Sequence, residues 1–389
     1  MSEIKVNSIK GVGASAAAIT VNNSDGTCTA NITNNLSNKN LILNGAFLIS
    51  QRGTSSTDSG YGSVDRFRSL YTGTDEAPTH AQADVAAGTT PYTLGFRKSY
   101  KFTNGNQTSG AGAGDQVALL QKIEAQDIAN SGWNYLSASS YITLSFWVKS
   151  SVAQNFYGNL VTNDGTDYNY PFETGSLTAD TWTKITKTIP GNSNLTFNND
   201  NGIGLSVQLA MFRGTDKTGT VSLNAWSAFS SSAQTPDMTS TWYTTNDATF
   251  EITGVQLEVG SVATDFEHLS FADELRRCQR YFFVLADGSA VANEYIGNGR
   301  GWSSSQVEYT VRFVNEMRAA PSLLLATGTN YYMWRSDGGE VYTTTMDIDN
   351  ATVRSAILYK AGVSGAVARG AYRFQLGSGA AYIHFDAEL

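Results

Sequence analysis

Apolar side chains recur at every second position in several stretches of the chain, and this is the period of a β-strand with one buried face. The stretches 141–149, 203–211, 307–313 and 372–376 follow the pattern. Clusters of Asn, Asp and Gly, which are typical of turns, separate such stretches. The pattern therefore predicts an all-β protein built from short strands.

Another predicted strand, 250–258, changes phase in its middle. Phe250 and Ile252 share one parity, whereas Val255 and Leu257 share the other. Gly254 lies at the change, and a glycine inside a strand often marks a bulge. We therefore expect a bulged strand here.

The predicted strands form two blocks. The first, 41–268, is long enough for a β-sandwich or jelly roll. The second, 284–389, is long enough for a second, C-terminal β-sandwich domain. The sequence thus predicts two β-domains joined by a short connection.

Residues 1–40 differ from the rest because they contain no Phe, Tyr or Trp. Such a segment cannot bury enough apolar surface to fold alone. It is either a loose tail or an extended segment that docks into an assembly. Residues 19–21 are strand-like, so they suit addition to the edge of a partner's sheet.

One short helix is predicted at 269–283. Ser270 is a suitable N-cap, and Asp273 three residues later resembles a capping box. The helix carries one apolar stripe, formed by Phe271, Leu275, Cys278 and Phe282. Because a helix this short needs a packing partner in water, the stripe packs either on a neighbouring domain or on copies of itself at a trimer axis.

Charge and composition argue against several classes of function. The 389 residues carry a formal net charge of −8, which disfavours a general electrostatic grip on nucleic acid or anionic membrane. No apolar run reaches the ~18 residues that span a bilayer, and the first residues lack the apolar core of a signal peptide. We expect no nucleic acid partner, no membrane insertion and synthesis in a cytoplasm, where Cys28 and Cys278 stay free thiols.

No catalytic motif is found along the chain. The three histidines lie far apart and show no metal-ligand spacing, and neither a nucleophile elbow nor a phosphate-binding loop is present. The acidic stretch 164–173 is interpreted as a solvated hairpin turn, with a calcium-binding turn or a catalytic pair as alternatives. The sequence therefore predicts a protein that is not an enzyme.

The last block holds aromatic side chains that suit a sugar. An exposed Trp or Tyr ring offers a flat apolar face for stacking and a polar tip for hydroxyls. The glycan-binding candidates are Trp302, Tyr331, Tyr332 and Trp334. Because neighbouring side chains of a strand point to opposite faces, part of this set is expected in the core.

The connection between the two blocks resembles a junction found in tailed-bacteriophage tail fibres and related virion proteins. The matching residues are Gln256-Leu257-Glu258, Gly260, Ala263-Thr264, Phe266-Glu267 and Cys278-Gln279-Arg280-Tyr281-Phe282. The start of the preceding domain looks similar too, through Asn40-Leu41-Ile42-Leu43-Asn44-Gly45, Gln51-Arg52-Gly53 and Val64-Asp65-Arg66-Phe67. Phe313 with Met317-Arg318-Ala319-Ala320-Pro321 looks like the opening of the following domain.

This resemblance implies a fold and an assembly. It implies a jelly roll similar to carbohydrate-binding modules for 41–268, and a homotrimer in the virion tail, made in the cytoplasm of the host bacterium. It implies that 1–40 binds phage tail or adaptor proteins and that 284–389 binds a host surface glycan or another receptor. It also implies a structural calcium near Asn44 and Glu258; no other cofactor is expected.

We therefore interpret the chain as a bacteriophage tail fibre that mediates adsorption to the host cell surface by glycan binding. One alternative is a capsid-attached fibre or a baseplate structural protein. A polysaccharide depolymerase has less support, because depolymerase fibres usually need a long parallel β-helix with a regular short repeat, and this sequence shows none.

Overall fold

A computed structural model describes residues 8–9, 19–21, 28–30, 38–288 and 294–389. Almost all of the regular structure in these ranges is β-strand, arranged in antiparallel sheets. The predicted all-β fold class is confirmed. Among the helices of these ranges, none is long and apolar enough to cross a membrane.

The N-terminal strands form a small sheet of their own. They are β1 (Ser8–Ile9), β2 (Ile19–Val21) and β3 (Cys28–Ala30), in the order β1-β2-β3. The strand predicted at 19–21 is therefore present, and it pairs within its own chain on both sides. The rest of 1–37 lies outside the described residues, so the expectation of an extended anchoring segment stays a prediction.

The first large unit is a sandwich of two six-stranded sheets. Its strands are β4 (Ser55–Ser56), β5 (Arg68–Thr72), β6 (Thr79–Asp84), β7 (Lys98–Thr103), β8 (Gln116–Glu124), β9 (Tyr141–Ser150), β10 (Asn155–Thr162), β11 (Tyr168–Ser176), β12 (Thr183–Pro190), β13 (Ile203–Arg213), β14 (Ser227–Ala228) and β15 (Thr249–Val259). One sheet has the order β14-β11-β10-β13-β8-β5, and the other has the order β12-β9-β15-β7-β6-β4. The short helices are α1 (Thr90–Thr93), α2 (Ala125–Ala129) and α3 (Thr241–Thr244).

One continuous core fills the space between these sheets. Leu144 and Phe146 of β9 meet Val207 and Leu209 of β13 in it, as the alternation of apolar residues in both strands predicts. Each sheet therefore gives one apolar face to the sandwich.

Strand β15 contains the predicted bulge. Its register against β9 shifts between Thr253 and Gln256, and Gly254 has a φ of 63°, which favours glycine. The bulge changes the parity of the strand, so both Ile252 and Leu257 reach the same core. This prediction is confirmed.

Helix α4 (Phe271–Cys278) connects the two large units. The backbone N–H of Asp273 donates to the Ser270 hydroxyl at 3.2 Å, so the predicted N-cap is confirmed. Cys278 ends the helix and is fully buried within the chain itself.

The second large unit is also made of two sheets. Its strands are β16 (Phe282–Asp287), β17 (Tyr295–Ser303), β18 (Gln306–Arg312), β19 (Ser322–Leu325), β20 (Tyr332–Ser336), β21 (Gly339–Thr343), β22 (Asp347–Asp349), β23 (Ser355–Ala361), β24 (Ala371–Leu376) and β25 (Tyr382–Asp386). The smaller sheet has the order β16-β25-β19, and the larger has the order β21-β20-β24-β17-β18-β23-β22.

Aromatic side chains dominate the core of this second unit. The Trp334 indole is fully buried and stacks on Phe374, with 4.2 Å between the ring centroids. A Cβ added at Gly299 would lie 2.6 Å from the Trp334 ring, so glycine on β17 makes room for the indole. Tyr332 is buried beside it and donates its hydroxyl to the Ala326 carbonyl at 2.6 Å.

A network of buried charges joins the two large units. Arg66 of the first unit is 1% exposed and forms an ion pair with Glu388 of the second. Arg52 contacts the same carboxylate at 3.3 Å and Asp386 at 3.2 Å. These two guanidinium groups hold the residues that follow β25 against the first unit.

Aromatic rings and a second carboxylate complete this joint. The Arg66 guanidinium carbon lies 3.4 Å from the centroid of the Tyr281 ring. Arg280 donates to both oxygens of Glu124, at 2.7 and 2.8 Å, and the Tyr281 hydroxyl donates to Glu124 at 2.5 Å. Arg280 and Tyr281, which belong to the junction that resembles phage fibres, therefore take part in the contact between the two units.

Candidate functional site

A groove of about 960 Å³ lies between the two large units, next to the buried joint. Residues 51–62 of the first unit form one wall, and the β16-β25-β19 sheet together with residues 345–348 forms the other. The wall from the sheet follows from alternation in β25, because Ile383 and Phe385 point into the core. Tyr382, His384 and Asp386 consequently face the groove.

The groove offers an aromatic platform. Tyr382 is 37% exposed, and its ring stacks on His384 with 4.6 Å between centroids and 23° between planes. Leu324, which is 42% exposed, lies directly opposite His384 on β19. A flat apolar surface with a phenol hydroxyl at its edge therefore faces solvent in a concave site.

His384 forms the base of this platform. Its Nε2 atom is buried and has no hydrogen-bond partner in the part of the chain that the structure describes. Burial lowers the pKa of His384 to about 4, although the Asp287 carboxylate acts in the opposite direction. The imidazole is therefore neutral at pH 7 and adds no charge to the groove.

Carboxylates outnumber cations along the groove. Asp58, Asp287, Asp347 and Asp386 line it, and Arg52 is the cation among the lining residues. Arg52 already pairs with two carboxylates, and its guanidinium lies 3.6 Å from the centroid of the Phe282 ring. The groove therefore presents mainly hydrogen-bond acceptors, which suit the hydroxyl groups of a sugar.

The predicted glycan-binding residues do not lie together. Tyr332 and Trp334 are buried in the core of the second unit, so their assignment to a binding surface is wrong. Tyr331 is half-buried and packs against the same core. Trp302 is 58% exposed, with the Arg300 guanidinium carbon 4.9 Å from the centroid of its ring, on the seven-stranded sheet and outside the groove.

The predicted trimer stripe is divided by the fold. The helix ends at Cys278, shorter than the predicted 269–283, and Phe282 lies on β16 instead. Both Cys278 and Phe282 are buried within the chain itself, so neither is available at a trimer axis, and that part of the prediction is wrong. Burial raises the pKa of the Cys278 thiol well above its usual value, which favours an unreactive side chain. Leu275 is half-buried and Phe271 is 60% exposed.

The predicted calcium ligands do not fit a calcium ion. The Asn44 amide nitrogen donates to the carbonyls of Ile49 and Asp65, and its oxygen accepts from the Ile49 N–H. Glu258 accepts from Thr264 N–H at 2.8 Å and from the Thr264 hydroxyl at 2.6 Å, with the Lys39 ammonium at 4.0 Å. Both side chains are thus committed to protein partners, and the described residues hold no cluster of three or more His, Cys, Asp or Glu suited to a metal.

Sequence reasoning missed Tyr382, Leu324 and Asp287. The stretch 382–386 alternates apolar side chains at 383 and 385 with Tyr382, His384 and Asp386, which are chemically suited to binding. This alternation was a usable signal for one wall of the groove. The opposite wall comes from residues 51–62, more than 300 positions away, and no local pattern connects the two.

No family model and no curated protein matches the chain. Among solved structures, the enzymatically active domain of bacteriophage CBA120 tailspike protein 4 aligns at 10% identity and a TM-score of 0.31, over 57% of this chain and 21% of that one. The family 11 carbohydrate-binding module from Clostridium thermocellum aligns at 11% identity and a TM-score of 0.24, over 55% of this chain and 98% of that one. The N-terminal cellulose-binding domain of Cellulomonas fimi beta-1,4-glucanase C aligns at 11% identity and a TM-score of 0.26, over 55% of this chain and 99% of that one. This chain spans about a fifth of the tailspike domain. Because these identities and TM-scores are low, the fold is assigned from the sheets of this chain and not from the solved structures.

Proposed function

We propose that this chain is a tail fibre of a tailed-phage virion, and that it attaches the particle to its host by binding a surface glycan in the groove. The observation that carries the proposal is the exposed Tyr382 ring among carboxylates in a concave site. The resemblance to phage fibres supports the virion assignment, since Arg66 and Arg280 of the matching segments hold the buried joint beside the groove.

The groove binds a sugar by stacking and by accepting hydrogen bonds. A pyranose ring packs on the face of Tyr382, while its hydroxyls donate to carboxylates that line the groove, such as Asp58. Each new hydrogen bond replaces one made with water, so a single groove binds with modest affinity. Asp386 contributes less, because it is already paired with Arg52.

The fibre acts as a homotrimer. Three linked grooves raise the avidity by about 10²–10⁴ without any new contact. The exposed Phe271 at the start of α4 supplies an apolar contact to the neighbouring subunits. Residues 1–40 attach the trimer to tail or adaptor proteins, and the chain reaches the virion after synthesis in the bacterial cytoplasm. A capsid-attached fibre or baseplate protein would use the same groove.

Competition for adsorption tests the proposal. Purified wild-type protein should block adsorption of the phage to its host, and Tyr382→Ala should lose this effect by at least about tenfold, because the stacking surface is removed. Leu136→Ala is the control, since Leu136 is 51% exposed on the first unit and does not line the groove. Equal blocking by wild type and Tyr382→Ala would refute the groove as the receptor site.

A second assay addresses catalysis. We propose that the protein binds the host polysaccharide without cleaving it. Incubation of the trimer with purified host surface polysaccharide should release no new reducing ends, while the polysaccharide slows the protein in affinity electrophoresis. Release of oligosaccharides would favour the depolymerase alternative.

A further inference from the structure

Two arginines lie directly opposite each other on the outer face of the seven-stranded sheet. Arg335 of β20 pairs in register with Arg373 of β24, and Arg373 pairs on its other side with Asn298 of β17. All three side chains are exposed. Directly opposed side chains of antiparallel strands have Cβ atoms about 4.5–5.5 Å apart, so two like charges here repel each other.

Only one of these two charges is neutralised. Arg335 donates from Nε to Glu340 at 2.7 Å, and Tyr342 donates its hydroxyl to the same carboxylate at 2.6 Å. Across residues 38–288 and 294–389, no side chain or carbonyl forms a hydrogen bond or an ion pair with the Arg373 guanidinium. Arg373 therefore lies beside the Arg335 cation and has no carboxylate partner among the described residues.

The surroundings of Arg373 form a groove rich in hydrogen-bond donors. A concavity of about 660 Å³ is lined by Asn298, Arg335, Ser336 and Arg373. The Asn298 oxygen already accepts from the Tyr295 hydroxyl at 2.8 Å, which leaves the amide nitrogen as a donor toward ligands. Asp337 also lines the concavity, at the hairpin between β20 and β21, and Glu340 pairs with Arg335, so Arg373 is the lining guanidinium that lacks a carboxylate partner among the residues that the structure describes.

We propose that this concavity binds an oxyanion carried by a sugar, either a phosphate or a carboxylate. A guanidinium fork matches both groups with two parallel hydrogen bonds, and the anion relieves the repulsion between Arg335 and Arg373. Trp302 lies on the same strand as Asn298, about 13 Å along it. Its exposed ring provides a stacking surface for a sugar unit further along the glycan. The site is separate from the Tyr382 groove, and its test does not depend on binding there.

Thermal melting of the full-length protein tests the site with defined probes. Glucose 6-phosphate and glucuronate are titrated separately, and glucose at matched ionic strength serves as the neutral reference. Either anion should raise the melting temperature in a saturable manner, whereas glucose should not. A larger effect of the phosphate assigns a phosphorylated sugar, and a larger effect of glucuronate assigns a carboxylated one.

Matched variants identify the residue responsible. Arg373→Met should weaken the response to the anions by at least about tenfold, and Arg373→Lys, which keeps the charge but not the fork, should weaken it less. Arg312→Met is the control, because Arg312 is another exposed arginine on the same sheet, at the end of β18. The proposal is overturned if neither anion shifts the melting temperature more than glucose does, or if Arg312→Met loses as much of the response as Arg373→Met.

Discussion

The His384 side chain makes part of the stability of the protein dependent on pH. Burial lowers its pKa from the usual 6.5 to about 4, so the folded state holds the neutral form over this interval while the unfolded state takes up a proton. Stability from this group is present above pH 6.5 and is lost as the pH falls towards 4. After allowance for partial solvent screening, we expect a loss of about 1–2 kcal/mol.

Paired denaturation curves measure this contribution. The free energy of unfolding of wild type and His384→Gln is compared at about pH 7.5 and about pH 4.5, and the difference between the two proteins should shrink by about 1–2 kcal/mol at the lower pH. A difference that stays constant with pH would show that His384 titrates normally in the folded protein.

Trp334 is buried and Trp302 is exposed, so replacing each of them by alanine should change the stability of the protein by different amounts. Trp334→Ala removes a fully buried indole that stacks on Phe374, and we expect it to cost about 3–5 kcal/mol. Trp302→Ala removes a ring that is 58% exposed and should change stability by about 0.5 kcal/mol or less. Urea denaturation of both variants checks this, and similar losses in the two would contradict the described core.

At the scale of elements, a substitution at the exposed start of α4 tests the proposed trimer. Phe271→Asp places a charge on a side chain that makes little contact within its own chain, so the monomer should keep its melting temperature. The proposed trimer of this variant should dissociate at a higher protein concentration than the wild-type trimer. The reason is that a buried phenylalanine contributes about 1.5–3 kcal/mol in each subunit. Analytical ultracentrifugation over a dilution series gives the mass. An unchanged trimer in Phe271→Asp would move the interface elsewhere on the molecule.

The elements that the sequence predicted well are those encoded by local pattern. The bulge at Gly254 and the cap at Ser270 each depend on a few neighbouring residues, and both are present. The same local view misplaced Cys278 and Phe282. A helical stripe shows only that one face is buried. Here Cys278 is buried within the chain itself, and Phe282 lies on β16 rather than on the helix.

Long-range pairing explains why the groove was not predicted. Its sheet joins β16, β19 and β25, whose order in space differs from their order in sequence. Tyr382 and Leu324 flank one site only because β25 lies between the two other strands. Alternation identifies which side chains of a strand share a face, but it does not identify which strands become neighbours.

At the scale of the whole molecule, Glu388 controls how firmly the two units are joined. Glu388→Gln leaves Arg66 without its counter-ion while it is 1% exposed, and we expect a loss of about 3–5 kcal/mol. Because the joint weakens while each core stays intact, calorimetry should show the two units unfolding in separate steps. The proposed glycan binding in the groove, which both units line, should be lost as well.

An exposed ion pair provides the control for this variant. Glu316→Gln removes the partner of Arg354, and both side chains are more than half exposed. This change should alter stability by about 0.5 kcal/mol or less, with a single calorimetric transition as in wild type. A similar loss of unfolding free energy in Glu316→Gln and Glu388→Gln would mean that burial of the joint does not strengthen its ion pair.

The joint also sets an order of events during translation. Arg66 and Glu388 are separated by 322 residues, so a ribosome that adds about 5–20 residues per second needs roughly 16–64 s to pass from one to the other. Throughout that interval the nascent first unit displays Arg52 and Arg66 without the carboxylate that later neutralises both. A chain released early by the ribosome keeps these cations unpaired and its groove half-built. Such a fragment therefore carries a charge signature that distinguishes it from the finished chain.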